Sequence, residues 1–189
     1  QLRDMLQNHL LQILTFIAME PPVDLEAKNI HREKIKVLEA LRPITPNNVA
    51  DKTVRGQYSS GFLKGQSVPG YLEEEGANTD SSSESFVALR VDIDNWRWAD
   101  VPFYLRTGKR LQEKRTEIVI NFKQLPHNIF KDSFPELPAN KLVIHLQPKE
   151  GIDIQMLNKV PGVGSSIKLQ KTKLDLSFIE AFKDKTVFG

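Results

Sequence analysis

The chain has 189 residues, is 40% apolar, and sets 26 Lys and Arg against 24 Asp and Glu for a net charge of +2. That length can bury one sizeable core, and so even a balance does not argue for nucleic acid as a partner. There is no cysteine, which excludes disulfides, thiolate catalysis and cysteine-ligated metals, and no apolar run nears the ~20 residues of a membrane helix.

No signal-peptide pattern opens the chain, so a cytoplasmic protein is expected. It begins at Gln1 and ends in KTVFG without a polar tail, and reads as a single domain cut at both ends from a longer chain.

Spacing predicts a first helix over 2–19. Leu2, Met5, Leu6, His9, Ile13, Phe16 and Ile17 recur on one face, and the prolines of EPP at 20–22 end it. A second helix is expected from about Leu25 or Asn29 to Leu41, with Ile30, Ile35, Leu38 and Leu41 inward and RPITP as the stop. From Thr53 onward the period changes. TVRGQYSSGF mixes β-branched and aromatic residues with glycine. EEEGANTDSSSE, 73–84, reads as a mobile loop whose acids are solvated surface.

Strands then accumulate at 85–93, 101–107, 116–122, 141–147, 151–157 and 166–178, with a short helix possible near 124–131. Nothing else of helical length separates them, so pairing should be mainly antiparallel. The expected fold class is α+β, helical over 1–42 and mostly β over 53–189, with a large sheet that packs one face on the helices. There is no internal repeat of 20–50 residues.

Chemistry has few places to sit. No glycine-rich phosphate loop follows a strand, and PGVGSS, 161–166, reads as a turn. His9, His31, His127 and His145 show no metal-ligand spacing, so no metal is expected.

Two constellations remain. In RDMLQNHLLQIL, Asp4, Asn8 and Gln12 step by four along a polar stripe, and His9 borders the apolar face beside Met5 and Ile13. Apolar neighbours would keep the ring neutral, as a general base needs, and Asp4 lies about 7.5 Å away along the axis, within reach of one hexose. The plain alternative is a half-buried structural histidine beside a hydrogen-bonding stripe. In YLRTGKRLQEKR, Arg106, Lys109, Arg110, Lys114 and Arg115 crowd a turn at Gly108, fit for a phosphate or polyol, or simply a charged soluble turn. Trp96 and Trp98, two apart, would share one strand face in core or interface.

RDMLQNHLLQIL, AMEPP, RGQY, IDNWRWADVPFYLRTGKRLQEK and LVIHLQP, in that order, resemble the glucose-6-phosphate dehydrogenase family, bacterial members most, over essentially the whole chain. The resemblance implies the β+α C-terminal domain of that family, related to the fold of glyceraldehyde-phosphate dehydrogenase, with the N-terminal Rossmann domain absent. It implies oxidation of glucose 6-phosphate to 6-phosphogluconolactone with reduction of NADP, which the absent domain would mainly bind. It also implies a dimer or tetramer formed through the sheet. These residues alone should then be inactive, a dimerisation module at most.

Position by position, His9 matches the family's general base, which takes the C1 hydroxyl proton as hydride leaves for the nicotinamide. The aspartate that orients it lies outside this chain. Asp4 matches a residue that hydrogen-bonds sugar hydroxyls, and Lys109 and Lys114 match two substrate-contacting lysines. Some members hold a second, structural NADP on the sheet with extra basic residues. Here Ile118, Val119 and Ile120, and His145 in place of an arginine, speak against that site.

Overall fold

The structure, a computed structural model, describes residues 4–131, 134–162 and 168–178. It divides into two compact units at Gln112 and Glu113.

In the first unit a π-helical turn, Asp4–Leu10, runs directly into α1 (Leu11–Ala18); α2 (Ala27–Glu39) and the single turn α3 (Val49–Lys52) follow. The strands are β1 (Thr53–Gly56), β2 (Gly61–Leu63), β3 (Gln66–Val68), β4 (Phe86–Val91) and β5 (Phe103–Gly108). Strands β1, β4 and β5 form an antiparallel sheet in that order, and β2 and β3 form a separate hairpin. Lys64 and Gly65 link β2 to β3 with φ of 52° and 81°. Two successive positive φ values match the twist of a tight hairpin.

One face of the three-stranded sheet carries the core. Leu14 and Ala18 of α1, Val37 of α2, Val91 of β4 and Ile93 are buried together, with Leu11, Leu41, Leu89, Phe103 and Leu105 packed around them. The chain beyond β4 is tied to the end of α2 by Arg42 N–H to Asp92 C=O (2.9 Å) and Asp94 N–H to Ala40 C=O (2.8 Å). Helices on one face of an antiparallel sheet were expected, and in this unit that is the arrangement.

The phase of both helices differs from the expectation. On α1 the inward stripe is Leu11, Leu14, Thr15 and Ala18, while Ile13 and Ile17 are half-buried and Phe16 is exposed under the Lys34 amine, 3.5 Å from its ring centre. The cause is the π turn. Its hydrogen bonds run five residues back rather than four, so a face counted from Met5 and His9 at α-helical steps drifts off register. Thr15 can be buried because its hydroxyl donates to the Gln12 carbonyl at 2.9 Å. On α2, Val37 is buried, whereas Ile35 and Leu38 are exposed.

Trp96 and Trp98 lie in a turn between β4 and β5, not on a strand, and so do not share a face. Trp98 joins the core, stacked edge-on against Phe103 at 5.1 Å, and its indole N–H donates to the Ala18 carbonyl at 2.9 Å. That carbonyl ends a helix and needs a donor from elsewhere. Trp96 is fully exposed.

The second unit holds β6 (Thr116–Asn121), β7 (Lys141–Gln147), β8 (Gly151–Lys159) and β9 (Leu169–Ser177) in an antiparallel meander, order β6-β7-β8-β9. The antiparallel pairing expected from the sequence holds for every pair among the described residues, but the strands are divided among three sheets rather than joined in one. Residues 166–167 of the expected last strand, and most of the expected turn at 161–166, lie outside the described residues. The short helix considered near 124–131 is a series of turns. Asn128 holds it, its side-chain oxygen accepting from Phe130 N–H (2.8 Å) and its amide donating to Phe134 C=O (2.7 Å). A side chain that bonds its own backbone in this way competes with a helix.

The register sorts the meander into two faces. Ile118, Ile144, Ile152 and Leu176 form one row across it and Ile120, Leu142, Ile154 and Leu174 the next, an aliphatic face on which Leu174 and Leu176 are exposed. On the other face Asp153 is 7% exposed and lies 2.9 Å from both His145 Nε2 and Lys173 Nζ. Burial pushes the Asp153 carboxyl up, but the bonds from His145 and Lys173 outweigh it and hold the group below its ordinary value.

A carboxylate depressed in this way adds stability above its unfolded value of about 3.9, and loses it as pH falls through the lower folded value. Asp153→Asn should therefore flatten the pH dependence of stability below about pH 4 and lower stability at pH 7. Urea unfolding across pH 2.5–7 checks this; an unchanged acid slope in the variant would remove Asp153 as its source.

Candidate active site

Asp4 and His9 stand on the π-helical turn, and both are exposed. In an α-helix residues five apart point about 140° away from each other. In a π-helix the hydrogen bond itself spans five residues, so this turn brings Asp4 and His9 towards one face. The Asn8 amide donates to the Asp4 carboxylate at 2.9 Å, which fixes that carboxylate on the turn. The apolar surroundings expected for His9 are not there among the described residues: Met5 is exposed and Ile13 half-buried. His9 itself is exposed.

The π turn lies against β5, the strand that ends at Gly108. Lys109 follows directly, so the first constellation and the start of the basic turn are neighbours on one unit. Lys109 is exposed and its backbone N–H donates to Ser85 C=O at 2.8 Å. Gly108 is required by space: a Cβ there would lie 2.8 Å from the Phe86 ring. Arg110 takes the left-handed conformation, φ 55°, which is uncommon for a non-glycine residue. Lys114 is also exposed, but belongs to the second unit.

Arg110 is tied to the acidic loop, a contact that the sequence reading missed. Arg110 is ion-paired with Glu74, which also accepts from the Tyr58 hydroxyl at 3.0 Å, and the guanidinium lies over the Tyr58 ring at 5.8 Å. Hydrogen bonds from Arg110 and then Tyr58 hold the Glu74 carboxyl below its ordinary value. Two further acids of this run are partnered, Glu73 with Gly70 N–H (3.0 Å) and Glu84 with Arg55 (2.7 Å). The Gln57 amide donates to Ser81 C=O and Ser83 C=O, both at 2.8 Å. The loop is therefore fastened at several points rather than merely solvated. Apart from Gly70, its partners lie 16 to 36 residues away, too far for any local pattern to announce them.

At the other end of the β4–β5 pair is a hollow lined by Arg42, Asp92, Asp94, Trp96 and Asp100, where Arg42 is ion-paired with Asp94 and Asp92 with Lys52. Among the described residues no group of three or more His, Asp or Glu could hold a metal ion, and no helix is long and apolar enough to cross a membrane.

A family model described as glucose-6-phosphate dehydrogenase, C-terminal domain, matches residues 1–188. The chain belongs to this family. It is 62% identical over 185 residues to the glucose-6-phosphate 1-dehydrogenase of Dickeya dadantii, covering 98% of this chain and 38% of that protein. With the enzyme of the same name from Rhizobium meliloti it shares 53% over 181 residues, covering 96% of this chain and 36% of the relative. Among solved structures, a glucose-6-phosphate dehydrogenase in complex with its substrate glucose-6-phosphate superposes with a TM-score of 0.84 at 38% identity, over 98% of this chain and 36% of that one. The enzyme from Mycobacterium avium gives 0.75, also at 38% identity, over 94% and 35%. The chain thus spans little more than a third of the length of the glucose-6-phosphate dehydrogenases it matches.

Proposed function

We propose that this chain is the substrate and dimerisation domain, both units together, of an NADP-dependent glucose-6-phosphate 1-dehydrogenase. The enzyme converts D-glucose 6-phosphate to 6-phosphogluconolactone in the cytoplasm, as the first step of the pentose phosphate pathway. The observation that carries this reading is the π turn of RDMLQNH, which sets Asp4 and His9 on an exposed face against the strand that ends at Lys109, in a chain of this family.

Asp4 accepts hydrogen bonds from sugar hydroxyls, Lys109 and Lys114 contact the anionic substrate, and His9 removes the proton of the C1 hydroxyl. NADP, when bound, supplies the oxidising ring. Among the described residues no glycine-rich turn leads from a strand into an α-helix, so its pyrophosphate has no cradle here, and we assign its binding mainly to residues outside those described. On the meander His145 and Lys173 are engaged with Asp153, and Ile118, Val119 and Ile120 bring no cation to β6, which argues against a second NADP there. The aliphatic rows across β6–β9, with Leu174 and Leu176 exposed, favour self-association through that sheet.

The purified full-length protein should raise absorbance at 340 nm with glucose 6-phosphate and NADP, and not with unphosphorylated glucose at the same concentration. The 189 residues alone should sediment as a dimer or larger, give no saturable heat with NADP, and give no rise at 340 nm. No activity from the full-length protein would overturn the assignment; turnover by these residues alone would overturn the placing of NADP.

In the full-length enzyme, Lys109→Ala and Lys114→Ala should each raise KM for glucose 6-phosphate about tenfold or more, and KM for NADP much less. Steady-state kinetics with each substrate varied separately decides this. Equal effects on both, or none, would return the lysines to a solvated turn.

A further inference from the structure

We propose that Arg110 is a positioning residue: it occupies the carboxylate of Glu74, so that the neighbouring Lys109 amine stays free for the anionic end of the substrate. This rests on the assignment of Lys109 to substrate and adds a device that keeps it available.

Two consecutive cations, Lys109 and Arg110, stand beside one acid, Glu74, from a loop 36 residues away in sequence. Both attract it, and the Lys109 charge contributes, after Arg110 and Tyr58, to holding the Glu74 carboxyl down. Yet only Arg110 is ion-paired to it, and Lys109 has no ion pair among the described residues. A lysine already paired with a carboxylate must give that partner up before it can bind a phosphate or a hydroxyl.

Three features bias the competition. Arg110 offers a planar fork whose position is set by the Tyr58 ring beneath it, whereas lysine is a mobile point charge on a flexible stem. The Tyr58 hydroxyl donates to the same carboxylate oxygen, Oε1, that Arg110 meets, so Glu74 is aimed before either cation arrives. Tyr58 is itself anchored, its N–H donating to the buried Ser85 hydroxyl at 2.9 Å and its ring edge-on to Tyr71 at 5.8 Å. Ser85 in turn accepts the Lys109 N–H through its carbonyl, so one residue fixes the heights of both the tyrosine and the lysine backbones. The left-handed backbone at Arg110 goes with this division, Arg110 held in the clamp and Lys109 exposed without an ion pair.

The test is a cycle in the full-length enzyme, reading kcat and both KM values. Arg110→Asn keeps a residue that tolerates the left-handed conformation but cannot pair with Glu74. It should raise KM for glucose 6-phosphate about tenfold, with kcat and the KM for NADP within about twofold. Glu74→Gln alone should change little. Combining the two should restore KM to within about twofold of the parent, because the competing carboxylate is gone. Arg110→Lys, which keeps the charge but not the planar fork, should raise KM for glucose 6-phosphate less than Arg110→Asn does.

A purely structural role for Arg110 forecasts the opposite for the double variant, which removes both halves of the clamp and should be at least as impaired. An unchanged KM in Arg110→Asn, or no recovery in the double variant, overturns the proposal. Arg110→Gly, equally at ease in that backbone, takes its place in the cycle if the asparagine variant does not fold. Lys109→Ala separates the two levels. If it raises KM while Arg110→Asn does not, only the positioning role falls; if it leaves KM unchanged, the substrate assignment falls with it.

Discussion

His9→Asn in the full-length enzyme should lower turnover at least ~10²-fold, with KM for glucose 6-phosphate and for NADP changed little. A positioned base that takes the proton in the transition state is typically worth 10²–10⁴-fold, and 10²-fold corresponds to about 2.7 kcal/mol of barrier. Asparagine is close to histidine in size and keeps a polar tip, but it cannot accept a proton at neutral pH. The ring is exposed on the π turn, so the substitution removes no core contact and leaves little room for an indirect effect. The expected signature is therefore a fall in kcat matched by the fall in kcat/KM. Turnover within about fivefold of the parent would end the assignment of His9 as base.

Ile93→Ala should destabilise the fold by about 2–5 kcal/mol, and Ile93→Val by about 0.5–1.5 kcal/mol. Ile93 is 2% exposed, among the most completely buried large side chains described, and it lies where α1, α2 and the end of β4 meet. Its backbone sits between two hydrogen bonds that stitch α2 to the sheet, Arg42 to Asp92 and Asp94 to Ala40, so the surrounding chain cannot collapse freely into the space left behind. The cost should thus fall towards the upper part of the range. Trp98, packed in the same cluster, reports the transition by fluorescence, while the fully exposed Trp96 adds a nearly constant background. A midpoint in urea unchanged by the alanine variant would contradict the packing described. The functional consequence follows from continuity: α1 rests on Ile93 and carries the His9 turn, so a loosened core should also lower kcat in the full-length enzyme.

Much of this was legible along the chain. The strands announce themselves because alternation at a period of two is a local property: Leu142, Ile144 and Leu146 in LVIHLQ, and Ile152, Ile154 and Met156 in GIDIQML, fall on one side whatever they pack against. Antiparallel pairing followed from loops too short for crossovers. The identity of His9, Asp4, Lys109 and Lys114 as candidates came from residue type and from the order of motifs, both of which survive without coordinates.

Other features depend on contacts between distant residues and leave no local mark. The α1 stripe was misread because the sequence does not say that its first turns are π-helical; a helix takes that form when the packing of its side chains against β5 and the core repays the poorer backbone geometry. Trp96 and Trp98 look alike two residues apart, and only the Ala18 carbonyl, 80 residues away, selects Trp98 for the core. The acids at 73–84 look solvated until Tyr58 and Arg110 are brought beside Glu74. Burying or pairing a polar group is decided by whether a partner is within reach, and reach across dozens of residues exists only once the chain has folded. The sequence by itself thus determined the elements, their periods and the reactive residue types. Tertiary structure decided which face is inside, which charge is paired, and which lysine is left free.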